Sequence, residues 1–168
     1  LTPPLAGVYD LHCWLAGCPV SNSPLSFNVG VGEVCGEESW SSLRDHSYRR
    51  APIKAPITFF VYTKDSYRNL VPAMLCARRG SGVAYLGVRV EIARSDKFRE
   101  DSPDCAVELR AASAGCTRAT MKFSRQGRYK VRVSVALSSG ADPEYFALTR
   151  EATVDVTPGL PCGGMSVV

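Results

Sequence analysis

The stretch GRYKVRVSVAL, Gly127–Leu137, constrains the fold of this chain more than any other. Tyr129, Val131, Val133, Val135 and Leu137 fall on one side of an extended strand, and Arg128, Lys130, Arg132 and Ser134 fall on the other. Successive strand side chains point to opposite faces, so alternation of this length means one covered face and one wet face. β-Branched residues fill many of the apolar positions, as a pleated, half-covered surface favours. The chain is therefore expected to be a β protein in which this strand's apolar face meets a second layer.

The same period recurs along the chain. Tyr9, Leu11, Cys13 and Leu15 mark a first strand, and Leu25, Phe27, Val29 and Val31 a second, with Cys13 and Cys35 sharing the inward parity. Ile57–Thr63 (ITFFVYT) is apolar on both faces, which suits a central strand or one carrying exposed aromatics. Leu70–Ala77 is weakened by Pro72 and fits an edge. Further strands are marked by Ala84, Leu86, Val88, Val90 and Ile92, by Cys105, Val107 and Leu109, and by Ala119, Met121 and Phe123. A last strand carries Phe146, Leu148, Ala152, Val154 and Val156. The short turn Arg125–Gly127 predicts a hairpin between the strand ending at Phe123 and the Gly127 strand. Seven to nine short strands with almost no helical period predict an all-β fold, an antiparallel two-sheet sandwich. Residues 1–157 are read as one domain and 158–168 as an irregular tail. Gly36–Pro56 breaks the pattern and is expected to be a long charged loop, with Trp40, Leu43 and Ser47 spaced for a short helix.

From Met121 to Thr157 the cadence is distinctive: Phe123, a Gly-Arg-Tyr turn, a Tyr-x-Val-x-Val-x-Val strand and a closing Ala-Thr-Val-Asp-Val. This resembles the last hairpin of immunoglobulin-like folds of the PKD or fibronectin kind. The resemblance implies an immunoglobulin-like sandwich and no particular activity.

Seven cysteines stand at positions 13, 18, 35, 76, 105, 116 and 162. None forms a C-x-x-C pair, so common zinc and thioredoxin spacings are missing. Disulfides among Cys13, Cys18, Cys35, Cys76, Cys105 and Cys116 are the preferred reading, with Cys105–Cys116 bridging across one turn and Cys162 left over. Bridges imply an oxidising compartment, hence an extracellular or cell-surface protein. Neither His12 with Cys13 nor His46 makes a metal site, since strand neighbours point apart. No cofactor motif and no G-x-S-x-G, H-E-x-x-H or phosphate-loop pattern occurs, so a non-catalytic protein is expected. No apolar run reaches the roughly 20 residues of a membrane span, and no membrane insertion is expected.

The function is expected to be binding of a protein partner. Trp40, Arg44, His46, Tyr48, Arg49 and Arg50 lie within one stretch, joined by Arg78 and Arg79 in a second loop. Trp, Tyr and Arg dominate binding hot spots because they bury large areas with few rotors and keep polar handles. The net charge of +4 leaves a second reading: an intracellular immunoglobulin-like domain gripping DNA phosphates with Arg44, Arg49, Arg50, Arg78 and Arg79. A third is a structural module of a coat or adhesive assembly. The basic row Arg128, Lys130, Arg132, with Arg118 and Lys122 on the neighbouring strand, is expected to be an ordinary sheet face answered by Glu151 and Asp155.

Overall fold

Alternating apolar residues at Val88, Val90 and Ile92, at Ala119, Met121 and Phe123, and at Tyr129, Val131, Val133 and Val135 build two facing layers. The computed structural model describes residues 5–72, 75–77, 84–94, 98–99, 102–138 and 143–159. In chain order the strands are β1 (Gly7–Leu11), β2 (Trp14–Leu15), β3 (Cys18–Pro19), β4 (Leu25–Val29), β5 (Cys35–Ser41), β6 (Tyr48–Pro52) and β7 (Pro56–Lys64). They continue with β8 (Leu75–Ala77), β9 (Ala84–Leu86), β10 (Val88–Ala93), β11 (Cys105–Ser113), β12 (Cys116–Phe123), β13 (Gly127–Ala136) and β14 (Tyr145–Thr157). No helix occurs among the described residues.

Two four-stranded sheets, ordered β5-β7-β12-β11 and β10-β13-β14-β6, make the sandwich. The first order is that of the A-B-E-D sheet of an immunoglobulin fold, and β10-β13-β14 is that of its C-F-G sheet. β6 lies beside β14 in parallel, Tyr48 opposite Thr153 and Arg50 opposite Asp155. The fold is thus an antiparallel β-sandwich of immunoglobulin-like order with one parallel edge strand. Val131, Val133, Val135 and Val154 are wholly buried at its centre; each valine gains about 1.5–3 kcal/mol over exposure.

Three expectations fail here for identifiable reasons. The β12–β13 hairpin does not form, because the two strands belong to different sheets. Arg125–Gly127 is instead an arch over the sandwich end, fixed where the Tyr129 hydroxyl donates to the Arg125 carbonyl at 3.0 Å. This is the tyrosine corner seen at the E–F turn of immunoglobulin sandwiches. Arg118 and Lys122 therefore lie in the opposite sheet from Arg128, Lys130 and Arg132. Second, Gly36–Pro56 is not a loop with a helix but holds most of β5, a crossover and β6. Ser39 and Ser41 occupy its inward positions, so the apolar alternation is missing. Their hydroxyls are satisfied locally: Ser39 donates to the Cys35 carbonyl at 2.7 Å and accepts the Lys64 N–H at 3.0 Å, and Ser41 accepts the Leu43 N–H at 3.1 Å.

Third, the first two predicted strands exist but do not join the core. β1 and β4 form their own two-stranded ribbon, with the β2–β3 hairpin at its tip. Ala16 and Gly17 close that tip with φ of 49° and 80°, the pair of positive values a type I′ turn requires. Leu11, Leu15, Leu25, Phe27 and Val31 are exposed on this arm, not inward. The arm meets the sandwich at the turn after β7. There Asn69 Oδ1 accepts the Ala6 N–H at 3.1 Å, and Asp65 Oδ2 accepts the Gly32 N–H at 3.0 Å.

The expected bridges are not formed among Cys13, Cys18, Cys35, Cys105 and Cys116, all of which are free thiols. Cys105 registers against Phe123, seven positions along β12 from Cys116. At about 3.3 Å per residue that is roughly 23 Å, far beyond the limit of about 7 Å between bridged Cα atoms. Cys18 stands opposite Leu15, so Cys13 is only its diagonal neighbour, at the limit of reach. Burial pushes the Cys105 thiol up to about 12, so it stays protonated at neutral pH. The side chain of Cys76 and all of Cys162 lie outside the described residues.

Candidate protein-binding face

β7 sends Phe59, Val61 and Thr63 into the core, and its other parity, Thr58, Phe60 and Tyr62, to the outer face of the β5-β7-β12-β11 sheet. Trp40 of β5 registers directly opposite Tyr62. The two rings stack with centroids 4.3 Å apart and planes 15° apart. Trp40 nevertheless stays 45% exposed and Phe60 37%. On the other flank of β7, Arg118 registers opposite Phe60 and Cys116 opposite Tyr62. Beyond them Arg110 of β11 sits opposite Arg118, its Nε donating to Glu108 at 2.6 Å. The Tyr62 phenol is held above its ordinary range, first by its hydrogen bond with the Cys116 side chain, with partial burial acting in the same direction. The face thus offers stacked aromatics beside two guanidinium groups. It can bury apolar area against a partner while Arg118 meets its carbonyls or carboxylates, beside an Arg110 that Glu108 holds through Nε and Nη2.

Of the partner-binding candidates named from the sequence, Trp40 lies on this face, and so does Arg118, named there with the basic row. Leu43, 1% exposed, plugs the sandwich where β5 crosses to β6, so the crossover is anchored by leucine rather than tryptophan. The Thr149 hydroxyl donates to the Leu43 carbonyl. Next to it, Asp45 Oδ1 accepts the backbone N–H groups of Arg150 and Glu151, the latter at 3.0 Å. His46, at φ 56°, donates its N–H to the Glu151 carbonyl at 2.7 Å. Arg150 and Glu151 lie in the β14 bulge between the Val131 and Val133 pairings, and Asp45 occupies that irregularity. Arg44 and His46 therefore flank a structural crossover.

Tyr48, Arg49 and Arg50 lie on β6, at the edge of the other sheet. Tyr48 donates its hydroxyl to Asp155 at 2.7 Å, and this bond, ahead of desolvation, raises its phenol. Arg50 pairs with Asp155 in register and Arg49 with Val154, so the two arginines take opposite parities. The charge pairing expected across the last hairpin is present: Lys130 lies 3.3 Å from Glu151, and Arg128 is in register with Asp155. Arg78 and Arg79 lie outside the described residues. Among the described residues no three His, Cys, Asp or Glu side chains converge as a metal-binding group.

Phe60, Tyr62 and Arg110 were not named as binding residues from the sequence, and Arg118 entered only with the basic row. For Phe60 and Tyr62 the signal was the doubly apolar ITFFVYT, whose second apolar face is exposed aromatic rather than covered.

No family model and no curated protein sequence matches this chain. Among solved structures it is similar to the filamin domain of Lin-41, with a TM-score of 0.43 and 17% identity, covering 76% of this chain and 100% of that one.

Proposed function

We propose that this chain is a non-catalytic binding module that holds a protein partner on the outer face of the β5-β7-β12-β11 sheet. The observation that carries this reading is the stacked Trp40–Tyr62 pair beside exposed Phe60, flanked by Arg118 and Arg110, on a sheet face that no layer of the described residues covers. Aromatic groups preordered by their own stacking lose little side-chain freedom on binding. The DNA reading has less support, because Arg49 and Arg50 take opposite parities and Arg50 is in register with Asp155. The binding reading does not depend on an oxidising compartment, since the sandwich is held by its apolar core.

The test is a photo-crosslinking amino acid at position 60, with position 128 on the opposite sheet as control, in an extract of the source cells. One discrete adduct is expected from position 60 only, and Trp40→Ala should reduce it at least tenfold, as hot-spot truncations do. The melting temperature should stay within about 2 °C, as for an exposed substitution. Equal adducts from both positions, or a Trp40→Ala variant that loses its fold instead, would overturn the reading.

A further inference from the structure

The ribbon of β1 and β4 is amphipathic and takes no part in the Trp40 face. Gly7, Tyr9 and Leu11 register against Val29, Phe27 and Leu25, and directly paired residues share a face. Val8 and Asp10 register against Asn28 and Ser26, and these fall on the other face. The Tyr9 and Phe27 rings stack with centroids 5.8 Å apart and planes 20° apart. Leu25 is nonetheless 59% exposed, and Leu11 and Phe27 are exposed with it, so no layer of the described residues covers the apolar face. Past it, the tip displays Trp14, Leu15 and Val20. A two-stranded ribbon is at best marginally stable in water unless something packs on its apolar face.

Charge decides what covers it. Residues 1–32 contain one acidic residue, Asp10, and no Lys, Arg or Glu, whereas all 20 Lys and Arg and 15 of the 16 acidic residues follow them. Asp10 lies on the polar face and accepts the Ser26 hydroxyl. An anionic lipid surface is held by Lys or Arg around the apolar residues, and the sequence of the arm has neither. A foreign protein surface selects its partner largely through matched charges, and the apolar face carries none to match. The Trp40 face of another copy is bordered by Arg118, Arg110 and Glu108, which the arm does not answer. A second arm is the surface that fits. It is apolar and uncharged, and its own Asp10 is turned away, so like charges do not meet.

We infer that this chain forms a two-fold dimer by packing the Tyr9, Phe27 and Leu25 face of its ribbon against the same face of a second copy. The contact is isologous, each copy giving the same patch. Two twisted ribbons face to face make a small sandwich with their backbones about 10 Å apart. Five residue pairs at about 3.4 Å each, on strands about 4.8 Å apart, set the interface at the small end of specific ones, about 1,000 Å² in total with the tips included. The dimer is therefore weak and concentration-dependent, and it uses no residue of the Trp40 face.

Sedimentation velocity of the full chain tests this, with a thiol reductant present so that the exposed Cys13 and Cys18 do not cross-link copies. The mass should rise from 18.2 kDa toward twice that value as the concentration goes from micromolar to near-millimolar. Leu25→Lys and Leu25→Glu should each raise the dissociation constant at least about tenfold, because each sets like charges against one another across the two-fold axis. Mixed one to one, the two variants should recover the dimer, which a fold lost to either substitution would not allow. Val8→Lys on the polar face and Phe60→Lys on the sandwich should leave association unchanged. A monomer at every concentration overturns the inference. So does a Leu25→Lys and Leu25→Glu mixture that stays monomeric, or loss of association on Phe60→Lys, which would seat the arm on the Trp40 face instead. Flotation with phosphatidylcholine–phosphatidylserine vesicles separates the remaining occupant: vesicle binding that Leu25→Glu removes, by a chain that stays monomeric, would make lipid the cover and overturn the dimer.

Discussion

Tyr129 carries the turn between the two sheets on one hydroxyl. Its ring is wholly buried and tilted against Phe123, centroids 4.6 Å apart, while its O–H reaches the Arg125 carbonyl at the surface of the arch. Burial, followed by the charge of Asp104, raises the phenol, so it remains a donor throughout the physiological range. Tyr129→Phe keeps the ring and removes only this bond. The expected cost is about 1–2 kcal/mol, the range for one buried partner lost. In urea the midpoint should fall with the slope unchanged, since the exposed surface on unfolding is the same. An unaltered midpoint would mean that the backbone alone holds the arch. This residue also marks what was legible early. The Gly-Arg-Tyr cadence pointed to an immunoglobulin-like last hairpin, and β13 does pair with β14. The sheet switch before it was not legible. A three-residue connection looks the same whether it closes a hairpin or spans two layers, and only the third dimension separates them.

At the level of elements, β10, β12, β13 and β14 announced themselves through apolar alternation, because both layers of the core cover their inner parity. β5 did not, because Ser39 and Ser41 replace apolar residues where local hydrogen bonds satisfy them. The ribbon of β1 and β4 gave the opposite error. Its alternation showed which residues share a face, but not whether anything covers that face, and Leu25 and Phe27 remain exposed. What joins this ribbon to the sandwich is the Asp65 turn. Asp65 accepts the Tyr67 and Asn69 N–H groups at 2.9 Å each, the Asn69 side-chain amide at 2.8 Å and the Gly32 N–H at 3.0 Å. Burial acts to raise this carboxyl, but the Asn69 side chain and the three backbone donors outweigh it and leave it below its ordinary value. A carboxyl depressed in the folded state binds its proton more weakly there than in the unfolded chain. Its stabilisation is therefore complete above the ordinary carboxylate pKa of about 4 and is lost as pH falls through the depressed folded value. Hydrogen exchange at Gly32 and Ala6 should accelerate relative to the sandwich core below about pH 4, beyond the intrinsic pH dependence of exchange. Asp65→Asn should show that loss of protection already at neutral pH and remove its dependence on acid. Parallel behaviour of arm and core would mean that the arm is held by something other than this turn.

The molecule as a whole is a sandwich with two outer faces of different chemistry and an arm attached at one corner. The β5-β7-β12-β11 face presents aromatic rings with arginines, and the β10-β13-β14-β6 face presents arginines partly answered by Glu91, Glu151 and Asp155. The arm shares no sheet with either. Its two described hydrogen bonds to the sandwich, Ala6 to Asn69 and Gly32 to Asp65, stand against a core that runs from Val34 through Val156. Stability should therefore reside almost entirely in the residues after the arm, although the alternation in β1 and β4 had counted them in a single inward-facing domain. A chain beginning at residue 33 should unfold in one cooperative transition. Losing two hydrogen bonds of about 1 kcal/mol each lowers the midpoint by roughly 4–8 °C for a domain of this size. The shortened chain should also associate less at high concentration, because Trp14, Leu15, Val20 and Leu25 leave with the arm. Differential scanning calorimetry with light scattering reads both quantities. A transition that broadens or disappears would make the arm part of the folding unit, whereas a sharp one would establish it as an appendage the sandwich carries.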